Sequence, residues 1–341
     1  MQSRSINNDI ESLKSLLKVS DNIIITTHHN PDGDAVGSIL GLYFALKQAG
    51  VQSKVLTPNG LPDFLSWIPG ADSIIKFSVK KEEVKEIVQQ ADLMFCLDFN
   101  GFKRAEEMGN LLVKSKAKKI LIDHHPDPDD QFDVLFSDTD RSSTSEIVYS
   151  VIELLLGSDK IDHNSAVALF VGIMTDTGSF SYGCSRDSTF NIAGKLIAKG
   201  VNVEEVQKLV YHNFSSDRMR LYGYSLNEKM RVFPEHKSAY ISLTKNDLKQ
   251  FRHKNGDTEG FVNAPLSIKG IVFSALFVEY DAFVKVSLRS RGKFPVNLFC
   301  NKHFNGGGHT NAAGGRSFMS LKETEELFER LLIQYSNDLN A

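Results

Sequence analysis

Apolar residues in the first half of the chain alternate between short unbroken runs and helical stripes. Ile10, Leu13, Leu16 and Leu17 recur at helical spacing and predict a short helix over residues 9–18. Ile23-Ile24-Ile25 is a continuous apolar run. A polar loop follows it, and then a helical pattern over residues 35–48 with Leu40, Phe44 and Leu46 on its stripe. Gly50 stands where a helix C-cap belongs. Residues 51–56 predict a second strand, ended by the turn residues Pro58-Asn59-Gly60. Residues 82–89 predict a helix. Leu93-Met94-Phe95-Cys96-Leu97 and Lys118-Lys119-Ile120-Leu121-Ile122 are again apolar runs, the pattern of parallel strands buried on both faces. Residues 145–156 and 165–175 are helical. This alternation predicts a parallel doubly wound sheet.

Residues 190–227 are helical throughout and moderately polar, so they are expected to connect two domains. Beyond them residues 238–243, 271–277 and 283–288 predict strands, and a helix over 321–335 ends the pattern. Ser320 with Glu323 forms a capping box for that helix. The expected architecture is α/β: a catalytic domain over 1–190, a helical connector over 191–227, and a smaller α/β domain over 228–341. No internal repeat is visible.

Composition narrows the function classes. A formal net charge of −3 over 341 residues gives no global basic field, which argues against long nucleic acid as a partner. Any nucleotide contact must come from local arginines. Cys96, Cys184 and Cys300 are widely spaced and form no CxxC pair, which argues against a disulfide framework or a structural zinc site. Residues 1–8 lack the apolar core of a leader peptide, and no apolar run approaches membrane-spanning length. The expectation is a cytoplasmic protein with no membrane partner.

The candidate chemistry gathers where the predicted strands end. His28, Asp32 and Asp34 follow the first strand. Asp98 follows the run ending at Leu97. Asp123, His124 and His125 follow the next, and Asp176 ends a helix. Open α/β sheets bind ligands at the carboxyl ends of their strands. Crowded carboxylates repel unless cations neutralise them. Mixed imidazole and carboxylate ligands suit Mn²⁺ and tolerate Zn²⁺, Co²⁺ or Fe²⁺. Four aspartates and two histidines suffice for two ions with one bridging carboxylate. Ions roughly 3.5–4 Å apart stabilise both attacking and leaving oxygens in phosphoryl displacement. An aspartate after a strand is often only a cap, so the weight rests on the set. His29, beside the pattern, reads as structural.

The strings His28-His29-Asn30-Pro31-Asp32-Gly33-Asp34-Ala35, Leu97-Asp98, Asp123-His124-His125 and Gly172-Ile173-Met174-Thr175-Asp176-Thr177-Gly178 resemble the DHH phosphoesterase superfamily. Gly306-Gly307-Gly308-His309-Thr310-Asn311-Ala312-Ala313-Gly314-Gly315 resembles the signature of its DHHA1 substrate-binding domain. The motifs fall in order over nearly the whole chain and match best the branch that handles nanoRNA and pAp. That resemblance implies an enzyme that degrades short oligoribonucleotides and dephosphorylates 3′-phosphoadenosine 5′-phosphate. It implies His28 and Asp32 on a first ion, Asp34, His124 and Asp176 on a second, and Asp98 bridging both. His125 would donate to the scissile phosphate, and Asp123 would orient an imidazole. The nucleophile would be a water activated by two ions, Mn²⁺ first, with Mg²⁺ or Co²⁺ as substitutes.

Three consecutive glycines let a backbone approach a ligand closely and offer N–H groups to an anion. With His309 and the small residues after it, they are expected to form a tight loop against a helix start. Gly307, Gly308 and His309 are assigned to phosphate or nucleotide contact. Arg289 and Arg291, at the end of a predicted strand, are assigned to substrate phosphate, for which arginine is the preferred bidentate partner. Arg104 is a further candidate phosphate contact. Ser143, Thr144 and Glu146 read as helix-start residues before substrate contacts. The substrate is expected between the domains. Rival readings are a hydrolase of linear or cyclic signalling dinucleotides, a manganese pyrophosphatase, and a catalytically silent nucleotide-binding regulator. Oligomeric state is left open, a homodimer included.

Overall fold

Buried β-branched runs form parallel strands when helices cover both faces, and the first unit is built that way. The computed structural model describes residues 6–340, which divide into two units at Asn213/Phe214. Residues 1–5, part of the stretch expected to lack a leader, lie outside the described residues. The first unit contains α1 (Ile6–Val19), β1 (Ile23–Thr26), α2 (Gly33–Gln48), β2 (Ser53–Thr57), β3 (Ile75–Lys76), α3 (Lys81–Gln90) and β4 (Leu93–Leu97). After them come α4 (Glu106–Lys114), β5 (Lys118–Asp123), β6 (Val134–Ser137), α5 (Thr144–Leu155), α6 (His163–Asp176), α7 (Asp187–Ala198) and α8 (Val203–Tyr211).

Its six strands run parallel in the order β3-β2-β1-β4-β5-β6. Ile23, Ile25, Phe95, Leu97, Ile120 and Ile122 point into one core with α1, α2, α5 and α6. Ile24, Met94, Cys96 and Leu121 point into the other, with α3 and α4. The order reverses between β1 and β4, so the crevice of a doubly wound sheet opens at their carboxyl ends. The short edge strands β3 and β6, and α4, are elements the hydrophobic pattern did not predict. Two- and four-residue edge strands carry too few residues to show a period.

The expected connector 191–227 is divided between the units. Ile192, Leu196, Val206 and Val210 of α7 and α8 are buried in the first core. Leu221 is buried in the core of the second unit.

The second unit contains α9 (Ser216–Asn227), β7 (Met230–Phe233), β8 (Ser238–Leu243), α10 (Lys245–Gln250), β9 (Phe273–Glu279) and β10 (Val284–Ser290). It continues with α11 (Val296–Phe304), β11 (Gly307–His309), β12 (Ala312–Ser317), α12 (Leu321–Gln334) and α13 (Ser336–Asn340). Its sheet has the order β11-β12-β10-β9-β8-β7; β8 pairs parallel with β9, and the other described pairs are antiparallel. Helices α11 and α12 cover one face through an aromatic cluster in which Phe328 stacks edge-on to Phe277 with centroids 5.3 Å apart. Strand β10 alternates Val284, Val286 and Leu288 into that core with Lys285, Ser287 and Arg289 on the opposite face. The capping box at Ser320 and Glu323 is present.

The glycine stretch differs from the expected loop. It is a β-hairpin, with Gly307 opposite Gly314 and His309 opposite Ala312. The glycines are needed because backbones crowd there. A Cβ on Gly306 would collide with the Gly314 carbonyl, and Gly308 has φ +141° with the Ala312 carbonyl oxygen against the place where its Cβ would be. Among the described residues no helix is long and apolar enough to cross a membrane.

Candidate metal centre

The loop after β1 is shaped by its own carboxylate. Asp32 caps α2, and its Oδ1 accepts from the N–H groups of Asp34 and Ala35 at 3.1 Å each. That leaves Oδ2 on the side of His28, 4.0 Å from Nε2. The His28 Nδ1 donates to the carbonyl of His29 at 2.9 Å, so Nε2 is the nitrogen presented to the crevice. This Nε2 is buried and has no aligned hydrogen-bond partner among the described residues; the Oδ2 of Asp98, 3.4 Å away, makes an ionic approach only. A buried nitrogen left without a hydrogen bond is costly unless something else takes its lone pair.

Asp98 sits just past β4 in the left-handed region, φ +64°, which is uncommon for a residue with a Cβ and is found at functional sites. Its N–H extends the parallel ladder to Ile122 O at 3.1 Å. The turn it makes puts its two oxygens on different partners. Oδ2 approaches His28, while Oδ1 accepts from the Thr144 hydroxyl at 2.8 Å and lies 3.8 Å from His124 Nε2.

Asp34 is fully buried. The first turn of α5 supplies its donors: Thr144 N–H at 2.6 Å to Oδ2 and Ser145 N–H at 2.9 Å to Oδ1. A helix N-terminus offers unpaired N–H groups and a positive dipole end, the surroundings a buried carboxylate requires. Asp176, the last residue of α6, reaches the same place because α2 and α6 pack closely. A Cβ on Gly37 would lie 2.5 Å from Ala168 O, and one on Gly172 would collide with Ser145 Oγ. His124 Nε2 then lies 3.5 Å from Asp176 Oδ2 and 3.9 Å from Asp34 Oδ2, with Nδ1 3.4 Å from Arg141 O.

Among the groups of ligand atoms brought together, each within 4.8 Å, are His28/Asp32/Asp98, Asp34/His124/Asp176 and Asp98/Asp123/His125. The two oxygens of Asp98 face one each of the first two groups. Beside them His125 Nδ1 is held by Asp123 Oδ1 at 2.7 Å.

The electrostatics are those of a site short of positive charge. Burial, with Asp98 and Asp176 adding repulsion, pushes the Asp34 carboxyl well above its ordinary pKa. Burial alone would lower His124, but Asp176, Asp34 and Asp98 outweigh it and raise its pKa to about 9. His28 is likewise lowered by burial and raised more by Asp98 and Asp32. For His125 burial wins, aided by the charge of Arg104, and its pKa falls despite Asp123. The charge that raises His124 is charge that divalent ions could balance instead. With a buried imidazole nitrogen that makes no aligned hydrogen bond, and with imidazole and carboxylate donors crowded around it, the residues present fit a pair of divalent cations.

Arg104 lies close enough to bear on His28 and His125, and its carbonyl accepts from His29 N–H at 2.8 Å. His29 itself faces Glu106 at 3.7 Å. Arg289, Arg291, Gly307, Gly308 and His309 belong to the second unit; Arg289 is on β10 and Arg291 is exposed just beyond it. Hydrophobic patterning missed the role of residues 141–145. The string Arg141-Ser142-Ser143-Thr144-Ser145-Glu146 reads as a helix cap, and Ser143 does cap α5. Five small or polar residues before an apolar helix, in a chain whose strand ends carry aspartates, were the available signal. Glu146 is wholly buried and accepts from Arg141, Ser142, Ser188 and Thr189. Burial favours its neutral form, but these donors lower its pKa to about 2.

Imidazoles and carboxylates gathered at the switch point of a doubly wound sheet suit two-ion chemistry on phosphate, and the likeness to known proteins gives the class, hydrolases acting on phosphoric ester bonds. The family model described as the DHH family, N-terminal domain, matches residues 22–173, and that of the DHHA1 domain matches residues 239–335. The chain belongs to the DHH phosphoesterases that carry a DHHA1 domain. It is similar to a probable bifunctional oligoribonuclease and PAP phosphatase, NrnA, of Streptococcus mutans, 29% identical over 326 residues. That alignment covers 94% of this chain and 97% of the relative. The crystal structure of an exopolyphosphatase-related protein from Bacteroides fragilis matches with a TM-score of 0.94 and 38% identity, covering 100% of both chains. The cyclic-di-AMP phosphodiesterase GdpP of Bacillus subtilis is 28% identical over 339 residues, covering 95% of this chain but 49% of its own length.

Proposed function

We propose that the chain is a manganese-dependent phosphoesterase. Its substrates would be short oligoribonucleotides, hydrolysed to mononucleotides, and 3′-phosphoadenosine 5′-phosphate, from which it would remove a phosphate. The observation that carries this reading is the paired ligand set sharing Asp98, whose oxygens face His28 on one side and His124 on the other. His28 and Asp32 would hold one ion, Asp34, His124 and Asp176 the other, and Asp98 both. Divalent ions held there supply Lewis acidity and lower the pKa of a water molecule.

The other residues act around that centre. Asp123 holds the Nδ1 edge of His125, which orients the ring so that its Nε2 edge is the one assigned to the scissile phosphate. Arg104 is assigned to the same charge. In the second unit Arg289, Arg291 and the hairpin residues Gly307, Gly308 and His309 are assigned to the remainder of the nucleotide. A bare glycine backbone and guanidinium groups suit phosphate and sugar. The full-length match to a bifunctional oligoribonuclease and PAP phosphatase supports this substrate class. A cytoplasmic setting is consistent with three cysteines that form no disulfide. A second reading, hydrolysis of signalling dinucleotides, draws on the cyclic-di-AMP phosphodiesterase relative. It ranks lower because this chain spans about half of that protein.

The test is a manganese activity panel over pAp, cyclic dinucleotides, pyrophosphate and short RNAs. Turnover of short RNAs together with pAp is expected. Turnover of pAp alone or pyrophosphate alone would sink the proposed substrate class, and cyclic dinucleotides alone would favour the second reading. Inertness of a manganese-loaded protein to every ester would point to a silent binding protein.

A further inference from the structure

Three of the grouped ligands depend on one five-residue segment. Asp34 takes the N–H groups of Thr144 and Ser145, Asp98 takes the Thr144 hydroxyl, and His124 Nδ1 faces the carbonyl of Arg141. What holds residues 141–145 in turn is Glu146. Its Oε1 accepts from Arg141 Nη1 at 2.8 Å, and its Oε2 accepts from Ser142 N–H at 3.1 Å and Ser142 Oγ at 2.7 Å. The same two oxygens take the hydroxyls of Ser188 at 2.7 Å and Thr189 at 2.9 Å, in the first turn of α7. None of these partners is a grouped ligand.

We propose that Glu146 is a positioning residue that presets the first turn of α5 against Asp34 and Asp98, and so sets how tightly the Asp34/His124/Asp176 group binds its ion. The inference rests on the two-ion reading above. A wholly buried carboxylate with five donors has one low-energy arrangement, and it fixes both ends of the segment that carries the cradle. Removing it leaves Ser142 N–H without this acceptor beneath the site and leaves the Arg141 guanidinium with Asp138 Oδ2, at 3.2 Å, as its acceptor. The segment would then relax, and Asp34 would lose its fixed direction before any cation arrived. Groups at this remove from a metal change its affinity about 10–100-fold when mutated.

A merely structural role is the rival, because Glu146 also ties α5 to α7. The same two helices are tied again by Glu153 on α5, whose Oε1 meets Lys195 of α7 at 3.0 Å, well away from the segment. Glu153→Ala therefore removes a surface tie between the two helices without touching residues 141–145.

The experiment is calorimetric Mn²⁺ titration of the full chain as wild type, Glu146→Ala, Glu146→Gln and Glu153→Ala, with folding checked by circular dichroism. Wild type and Glu153→Ala should bind two ions with equal affinities. In Glu146→Ala one of the two sites should weaken about tenfold or more. Glu146→Gln keeps the volume and loses the charge, so it should fold and shift the same site in the same direction, and it decides the matter if the alanine variant does not fold. At limiting Mn²⁺ the Glu146 variants should lose kcat with KM unmoved, and saturating Mn²⁺ should restore it. Wild-type affinity in a folded Glu146 variant, or equal weakening in Glu153→Ala, would overturn the positioning role. Absence of Mn²⁺ binding by the wild type would instead remove the two-ion reading beneath it.

Discussion

Both units set charged side chains on a six-stranded sheet, carboxylates and imidazoles in the first and Lys285 and Arg289 in the second. In the first unit Asp34 and Asp98, which follow β1 and β4, are buried and crowded; Asp34 is driven toward its neutral form, while for Asp98 burial is outweighed by the neighbouring His28, His125 and His124, which lower the pKa. In the second unit Lys285 and Arg289 lie on the face of β10 that points away from the aromatic core, and on β12 the residues opposite Lys285, Ser287 and Arg289 are Arg316, Gly314 and Ala312. A prebuilt, destabilised cluster is suited to seizing small ions of high charge. Guanidinium groups beside a glycine-bearing strand are suited to a flexible, larger anion. The first costs folding energy until it is filled; the second costs little in either state.

The sharpest way to break this contrast is at Asp98. Asparagine keeps the shape, tolerates φ +64° and can still meet the Thr144 hydroxyl, but it removes the charge that stands between the two ligand groups. Asp98→Asn should therefore fold and lose about 10³-fold or more in kcat on every substrate, the scale of several kcal/mol of lost charge stabilisation. Steady-state kinetics in manganese measure it. Turnover near wild type would remove Asp98 from the chemistry.

Filling the site should reveal the contrast in folding free energy. Mn²⁺ at about one hundred times its Kd should stabilise the first unit by about 2.7 kcal/mol for each site. Amide hydrogen exchange would then slow in β1, the start of α2 and the first turn of α5. Strands β10 and β12 should exchange at unchanged rates. Equal slowing in both sheets would mean that the ions do not bind where the carboxylates crowd.

How far the sequence discloses each unit follows from the same physics. The strands of the first sheet are fully buried, so apolar runs such as Leu93 to Leu97 are unambiguous, and the ligands follow at fixed places after them. The glycine hairpin reads as a loop in the sequence because Gly307-Gly308-His309 carries no apolar alternation. Its strand character comes from pairing with β12, a contact distant in conformation though near in sequence. The Thr144 and Ser145 contacts are invisible for another reason. They are made largely by backbone N–H groups, which nearly every residue has, and only the fold reveals which of them meet Asp34.

Two neighbouring glycines separate packing from function in that hairpin. A Cβ on Gly306 would collide with the Gly314 carbonyl and lie near Gly315, whereas one on Gly307 would meet nothing within 4 Å. Gly306→Ala should cost about 1–3 kcal/mol, as forced overpacking does, and lower the unfolding temperature. Gly307→Ala should leave the unfolding temperature nearly unchanged. If Gly307→Ala raises KM at full stability, the strand's open face touches substrate; if it moves neither quantity, that assignment fails.

The smallest expected effect concerns pH, where Asp247 of the second unit and Asp34 of the first should respond with opposite sign. Asp247, in the second unit, is buried, which favours its neutral form. Thr244 N–H at 2.8 Å, the Lys229 ammonium at 2.9 Å and the Tyr224 hydroxyl at 3.0 Å outweigh that and lower its pKa. A depressed carboxyl contributes stability that is present above the unfolded pKa, about 3.9, and is lost as pH falls through the folded value. Asp34, raised, has the reverse sign and gains from acid. An asparagine at this position would imitate the protonated acid, so Asp247→Asn should cost about 2 kcal/mol at pH 7 and progressively less below about pH 4. Urea unfolding of α10 and its neighbours, followed by amide exchange from pH 7 to 3, measures the gap. Glu323 makes the same capping box at α12 but is exposed to solvent, and Glu323→Gln should open a smaller gap. A gap at Asp247 that stays constant down to pH 3 would mean that its hydrogen-bonding shape, and not its charge, stabilises the second unit.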